Sequence, residues 1–130
     1  MGWQIASVGL GGAIGAVIRY ALLQWLGGVD DGILPWGTVS ANLLGSLLLG
    51  MVVGLFDRGA LREPARLFLA VGLLGGFTTF SLFSYENLEL LRDGRYLVLL
   101  VNAIGQTVLG LCGAAAGHFL IPRLRHSRLN

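Results

Sequence analysis

Apolar residues run through the chain in four long blocks, and few polar positions interrupt them. No Asp, Glu, Lys or Arg occurs in residues 1–18, 32–56, 67–85 or 96–122. A helix that crosses a bilayer core needs about 20 mainly apolar residues. The blocks therefore predict four spans, near residues 4–26, 33–56, 67–91 and 97–121, joined by short loops within a single transmembrane domain covering 1–130. The first block does not read as a signal peptide, because its start lacks basic residues and Arg19 falls inside the apolar run.

Glycines recur four apart within these blocks, as GGAIG (Gly11, Gly15), GMVVG (Gly50, Gly54) and GAAAG (Gly113, Gly117). Small residues at this spacing let helices approach closely, a main source of association in lipid. Thin helices packed this way enclose little space, so a pathway through the protein is expected to need a second subunit.

The polar residues inside the blocks carry the chemistry. The second opens as PWGTVSANLLGS, with Pro35 suited to a first helical turn. Thr38, Asn42 and Ser46 then fall on one face. Thr38 and Ser46 read equally as interhelical glue or as part of a polar path. The Asn42 carboxamide, at membrane depth, needs several partners to offset its desolvation.

The third block contains GGFTTFSLF, residues 75–83. Paired glycines and consecutive β-branched threonines both weaken a helix, so a break is expected at GGFTT. Non-helical backbone at membrane depth is tolerated only when buried in protein or lining a cavity, and the freed carbonyls can hold a monovalent cation. Phe80 and Phe83 lie one turn apart on one face. Such spacing can be core packing, but a phenyl ring also has a positive edge that can face an anion. Thr79 and Ser81 add hydroxyls nearby.

Charge and composition narrow the function classes. Only 12% of residues are charged, about half the share of a soluble domain. The nine arginines, separated by apolar spans, read as loop and helix-end charges rather than a nucleic-acid patch. Cys112 stands alone, and His118 and His126 lack companions at ligand spacing. No paired carboxylates, Ser/His/Asp order or phosphate loop falls within the spans, so an enzyme is not expected. A small four-helix proton-coupled efflux transporter is the alternative reading. It would need an acid inside a span, and Glu86 and Glu89 lie only towards the end of the third.

Three motifs in order resemble the CrcB/Fluc fluoride channels over nearly the whole chain. GGAIGAVIRY is similar to the family's first-helix pattern, with Arg19 at its arginine. PWGTVSANLLGSLLLG places Asn42 at the pore asparagine. GGFTTFSLFSYE places Phe80 and Phe83 at the two pore phenylalanines and Glu86 at the following glutamate. The resemblance implies an antiparallel, dual-topology homodimer in the cell (inner) membrane, surrounded by lipid, with two fluoride pathways. It also implies a structural sodium ion at the dimer centre, held by the backbone carbonyls of Gly75 and Thr78. On the fourth helix, many members carry a tyrosine and then a serine where this chain has Asn102 and Gln106, and Leu82 replaces the third residue of the usual FSTF. The amides at 102 and 106 preserve a polar track on one helix face.

Fluoride transfer is chemically consistent with these residues. A small, strongly hydrated anion must exchange water for donors that are strong yet not fully charged, because conduction requires release as well as binding. Asn42 and the hydroxyls of Thr38, Thr79 and Ser81 can donate, while Phe80 and Phe83 offer ring edges. Arg19 suits a mouth, or snorkels to headgroups. With an even number of spans, the termini and the loop at 57–66 share one side and hold six arginines: 58, 62, 66, 123, 125 and 128. The charge asymmetry leans towards cytoplasmic termini; dual insertion is implied by the resemblance alone.

Overall fold

A computed structural model describes residues 1–27 and 33–122 of the chain. Arg123, Arg125 and Arg128 of the charge asymmetry, and His126, lie outside the described residues.

The described residues form an all-helical protein. The helices are α1 (Gly2–Leu26), α2 (Trp36–Asp57), α3 (Glu63–Arg66), α4 (Gly75–Phe77), α5 (Phe80–Arg92) and α6 (Tyr96–Leu120), with a π-helical segment at Leu67–Leu74 between α3 and α4. α1, α2, the run Glu63–Arg92 and α6 are each long and apolar enough to cross a membrane. The third span starts earlier than the charge-free block suggested. Pro64 sits in the first turn of α3, and Arg66 donates to both carboxylate oxygens of Glu63, so one charged turn precedes the apolar run. The π-helical stretch has no counterpart in the sequence reading. At its end the Gly75 N–H bonds Ala70 O, five residues back.

Backbone contact, made possible by glycine, sets the helix spacing. α1 packs on the π segment and α4, and α2 packs on α6. A Cβ added at Gly11 or Gly15 would collide with carbonyl oxygens of Phe68 or Leu73. Across the other pair, Gly50 meets Ala114 O and Gly117 meets Leu47 O in the same manner. Gly45 leaves room for Thr78 Cγ2 and the Phe77 ring, which brings the middle of the third span onto α2. Ala41, Leu74 and Phe77 form the buried core there, flanked by Leu22, Leu23, Val52 and Leu73. In lipid, where a leucine gains little by leaving the solvent, such packing holds the bundle together.

α5 turns back into α6 through Gly94, at φ 71°, with the Arg95 N–H bonded to Leu90 O. Trp25, Trp36 and Tyr96 are exposed at helix ends on one side of the bundle, and Trp3 at the other. Amphipathic rings at both ends suit the headgroup layers of a bilayer.

Candidate functional site

α4 ends at Phe77 and α5 begins at Phe80; between them Thr78 (φ −79°, ψ 158°) and Thr79 (φ −149°, ψ 120°) are extended. The expected break at GGFTT thus falls on its two threonines, while Gly75 and Gly76 are both helical. Their role is spatial. Gly76 presses against Gly12 of α1, whereas Gly75 is exposed and a Cβ there would meet only Ala70 O, at 3.7 Å. The β-branched threonines, which favour extended backbone, take up the step.

Leaving the helix at Thr78–Thr79 redirects two donors. The Thr79 N–H, which would serve Gly75 O in a continuous α-helix, goes to Asn42 Oδ1 at 2.8 Å. The Leu82 N–H, which would serve Thr78 O, goes to Thr79 Oγ1 at 3.2 Å, capping α5. The carbonyls of Gly75 and Thr78 therefore lose their i+4 partners together. Two neutral oxygens without i+4 donors fit a monovalent cation better than a divalent one, which usually recruits carboxylates.

Asn42 holds this step in place. Besides accepting from the Thr79 N–H, it donates through Nδ2 to Thr79 O at 3.1 Å and to Gln106 Oε1 at 2.8 Å. Gln106 Nε2 donates to Asn102 Oδ1 at 2.9 Å, and Asn102 Nδ2 to Asn87 Oδ1 at 3.0 Å. Four amides thus connect α2, α6 and α5.

Beside them opens a cleft of about 380 Å³. Asn42, Thr79, Phe80, Phe83 and Gln106, all singled out by sequence, line it together. Ser46, Leu49, Thr78 and Thr107 complete the wall, and none of the nine carries a formal charge. Phe80 is 79% exposed, and its ring centroid stands 5.8 Å from that of Phe83, the planes 41° apart. The first turn of α5 abuts the cleft with the positive end of its dipole.

The other candidates lie outside the lining. Thr38 donates to Glu86 Oε1 at 2.7 Å; both are buried, and Glu86 Oε2 has no partner. Ser81 Oγ lies 3.4 Å from Thr79 Oγ1. Asn102, at 2% exposure, sits behind Gln106. Arg19 lies on α1, one turn beyond Gly15. Thr78, the exception, does line the cleft, and donates through both N–H and Oγ1 to Leu74 O. Sequence reasoning missed Asn87 and Thr107. A signal for Asn87 existed: Phe80, Phe83 and Asn87 fall at i, i+3 and i+7 on α5. Thr107 spends its hydroxyl on Ala103 O, a local bond with no distinctive pattern.

Four apolar spans, three of which line an uncharged cleft, define a multi-pass membrane protein. The model of the family described as CrcB-like protein, camphor resistance (CrcB), matches residues 6–118, and the chain belongs to that family. It is similar to several proteins named fluoride-specific ion channel FluC. The one from Leptospira interrogans (serovar copenhageni) is 46% identical over 115 residues, 88% of this chain and 91% of the relative. One from Thermus thermophilus is 50% identical over 113 residues, 87% and 89%. That from Magnetococcus marinus is 44% identical over 119 residues, 88% and 94%.

Proposed function

We propose that the protein is a fluoride-specific ion channel that lets fluoride leave the cell passively and so limits its toxicity. Family membership and relatives named for that activity support the reading. The observation that carries it is the Asn42 carboxamide bound to Thr79 beside the exposed Phe80 and the Phe83 ring.

Both hydrogens of Asn42 Nδ2 are bonded to carbonyl oxygens, so an anion draws on Asn42 by displacing Thr79 O as acceptor, in the longer of the two bonds. The exchange replaces one acceptor by another and leaves the remaining bonds in place. Ring edges of Phe80 and Phe83 then pass the ion along, with hydroxyls of Thr79 and Ser81 nearby. Thr38 and Glu86 extend the polar track, and Arg19 attracts anions at the mouth.

The working unit is an antiparallel homodimer in the inner membrane with two pathways. A cleft with an open side and a ring as exposed as Phe80 gains its missing wall from a second copy. The third span acts as a broken helix, and the carbonyls of Gly75 and Thr78 from both subunits would hold a structural sodium ion. When bound, that ion would supply a positive charge balanced by these neutral carbonyl oxygens.

One observation favours the proton-coupled alternative: Glu86 is a buried acid with a carboxylate oxygen lacking a partner. Purified protein in liposomes separates the two. Passive efflux of fluoride, far faster than chloride and without proton movement, is the expected result. Efflux that does not discriminate fluoride from chloride, or that requires a proton gradient, overturns the channel reading.

A further inference from the structure

The geometry points to a positioning role for Gln106, Asn102 and Asn87, acting through Asn42. The inference rests on reading Asn42 as part of the fluoride pathway. A carboxamide presents an oxygen and an NH2 group of nearly the same shape, so something must decide which way each one faces. Here the backbone of Thr79 decides, because its N–H can only donate and its C=O can only accept.

From that fixed point the direction of every amide follows. Asn42 must turn Oδ1 to the Thr79 N–H and Nδ2 to Thr79 O. Its second hydrogen then requires an acceptor, which Gln106 supplies with Oε1 at 2.8 Å. Gln106 is left with Nε2 facing Asn102 Oδ1, and Asn102 with Nδ2 facing Asn87 Oδ1. Reversing any one amide sets oxygen against oxygen or N–H against N–H. Gln106 and Asn102 are 8% and 2% exposed, so little water is at hand to repair the mismatch. Donors aligned head to tail also polarise one another. The relay thus locks the Asn42 rotamer, and through it the extended step at Thr79. It belongs to this chain's own choice of Asn102 and Gln106, with Asn87 as the closing acceptor.

Asn102 and Asn87 do not line the cleft, and amide exchange at Thr79 distinguishes their positioning of Asn42 from a lost contact with the ion. The test compares fluoride efflux from liposomes for Asn102→Leu, Asn87→Leu and Asn87→Gln, with Asn42→Leu as control. Amide hydrogen exchange at Thr79 is followed alongside. Removing one relay bond is expected to slow fluoride about tenfold, the kinetic equivalent of one hydrogen bond. Asn87→Gln, which keeps the acceptor on a half-buried side chain, is expected to recover most of the rate lost in Asn87→Leu. Exchange at Thr79 should quicken in both leucine variants, while the N–H groups of α1 stay protected. If Asn102→Leu fails to fold, Asn87→Leu decides alone. Wild-type flux and unchanged Thr79 exchange in a folded Asn87→Leu protein overturn the relay. Wild-type flux in Asn42→Leu overturns the pathway reading instead, and Thr79 exchange still reports on the relay.

Discussion

Asn42 and Thr79, 37 residues apart in the chain, are joined through both ends of one carboxamide: the Thr79 N–H donates to Oδ1 at 2.8 Å, and Nδ2 donates to Thr79 O at 3.1 Å. Asn42→Asp keeps the acceptor but sets a carboxylate against Thr79 O and Gln106 Oε1, in the path of an anion. At roughly 4 Å and an effective dielectric near 20, the repulsion is about 4 kcal/mol. Fluoride efflux should fall by nearly three powers of ten if that barrier lies on the transition state. The charge exists only above the pKa of the new carboxyl, so the defect should deepen as pH rises through it. Equal loss at all pH values would mean that the missing donor, not the charge, is responsible.

Two phenylalanines three residues apart should respond in opposite ways. Phe77 is 6% exposed in the core, and Phe80 is 79% exposed on the cleft. Phe77→Ala should cost about 3–5 kcal/mol of stability. Phe80→Ile removes the positive ring edge without emptying the core, so the purified protein should keep its melting temperature and lose fluoride flux. Thermal unfolding in detergent, read beside efflux, distinguishes the pair.

Adjacent glycines should separate assembly from folding. A Cβ at Gly75 would make only an ordinary contact, 3.7 Å from Ala70 O, whereas one at Gly76 would collide with the backbone of Gly12. Gly75→Val should leave the four-helix unit folded yet weaken the dimer and abolish any stabilisation by sodium over a large organic cation. Gly76→Val should disrupt the protomer itself. Crosslinking through single cysteines, in a background lacking the exposed Cys112, reads both assembly and relative orientation. Links between like-oriented protomers only would exclude the antiparallel arrangement.

Thr38→Val removes the donor at 2.7 Å from Glu86 Oε1 while preserving shape. Glu86 Oε2 already lacks a partner, so both oxygens would then be buried without one. A loss of about 1–3 kcal/mol is expected, measurable as reduced stability to denaturant in detergent.

The four spans could be read from the chain because they depend on length and on the absence of charge, which need no tertiary knowledge. The polar face of α2 was legible as a face, but not in its division of labour. Thr38 pairs with Glu86, Asn42 with Thr79 and Gln106, and Ser46 lines the cleft. Asn102 and Gln106 stood out only through the family resemblance, whereas Asn87 closes their row from another helix, a relation set by how α5 crosses α6. The π-helical stretch at Leu67–Leu74 is as apolar as its neighbours, and nothing in its composition distinguishes it. The extended step lies at Thr78–Thr79 rather than at the glycines because close approach to α1 rewards glycine inside a helix. Propensity measured in isolation does not register that contact.

A bundle whose helices touch main chain to main chain has its gauge set by the peptide backbone. Where Gly15 rests on Leu73 O and Gly117 on Leu47 O, interaxial distance does not depend on the volume of any side chain. The outward leucines, valines and isoleucines can then drift freely in sequence, provided that they stay apolar, without moving Asn42 relative to Thr79. A protein of this build can renew most of its lipid-facing surface while its innermost dimensions stay fixed.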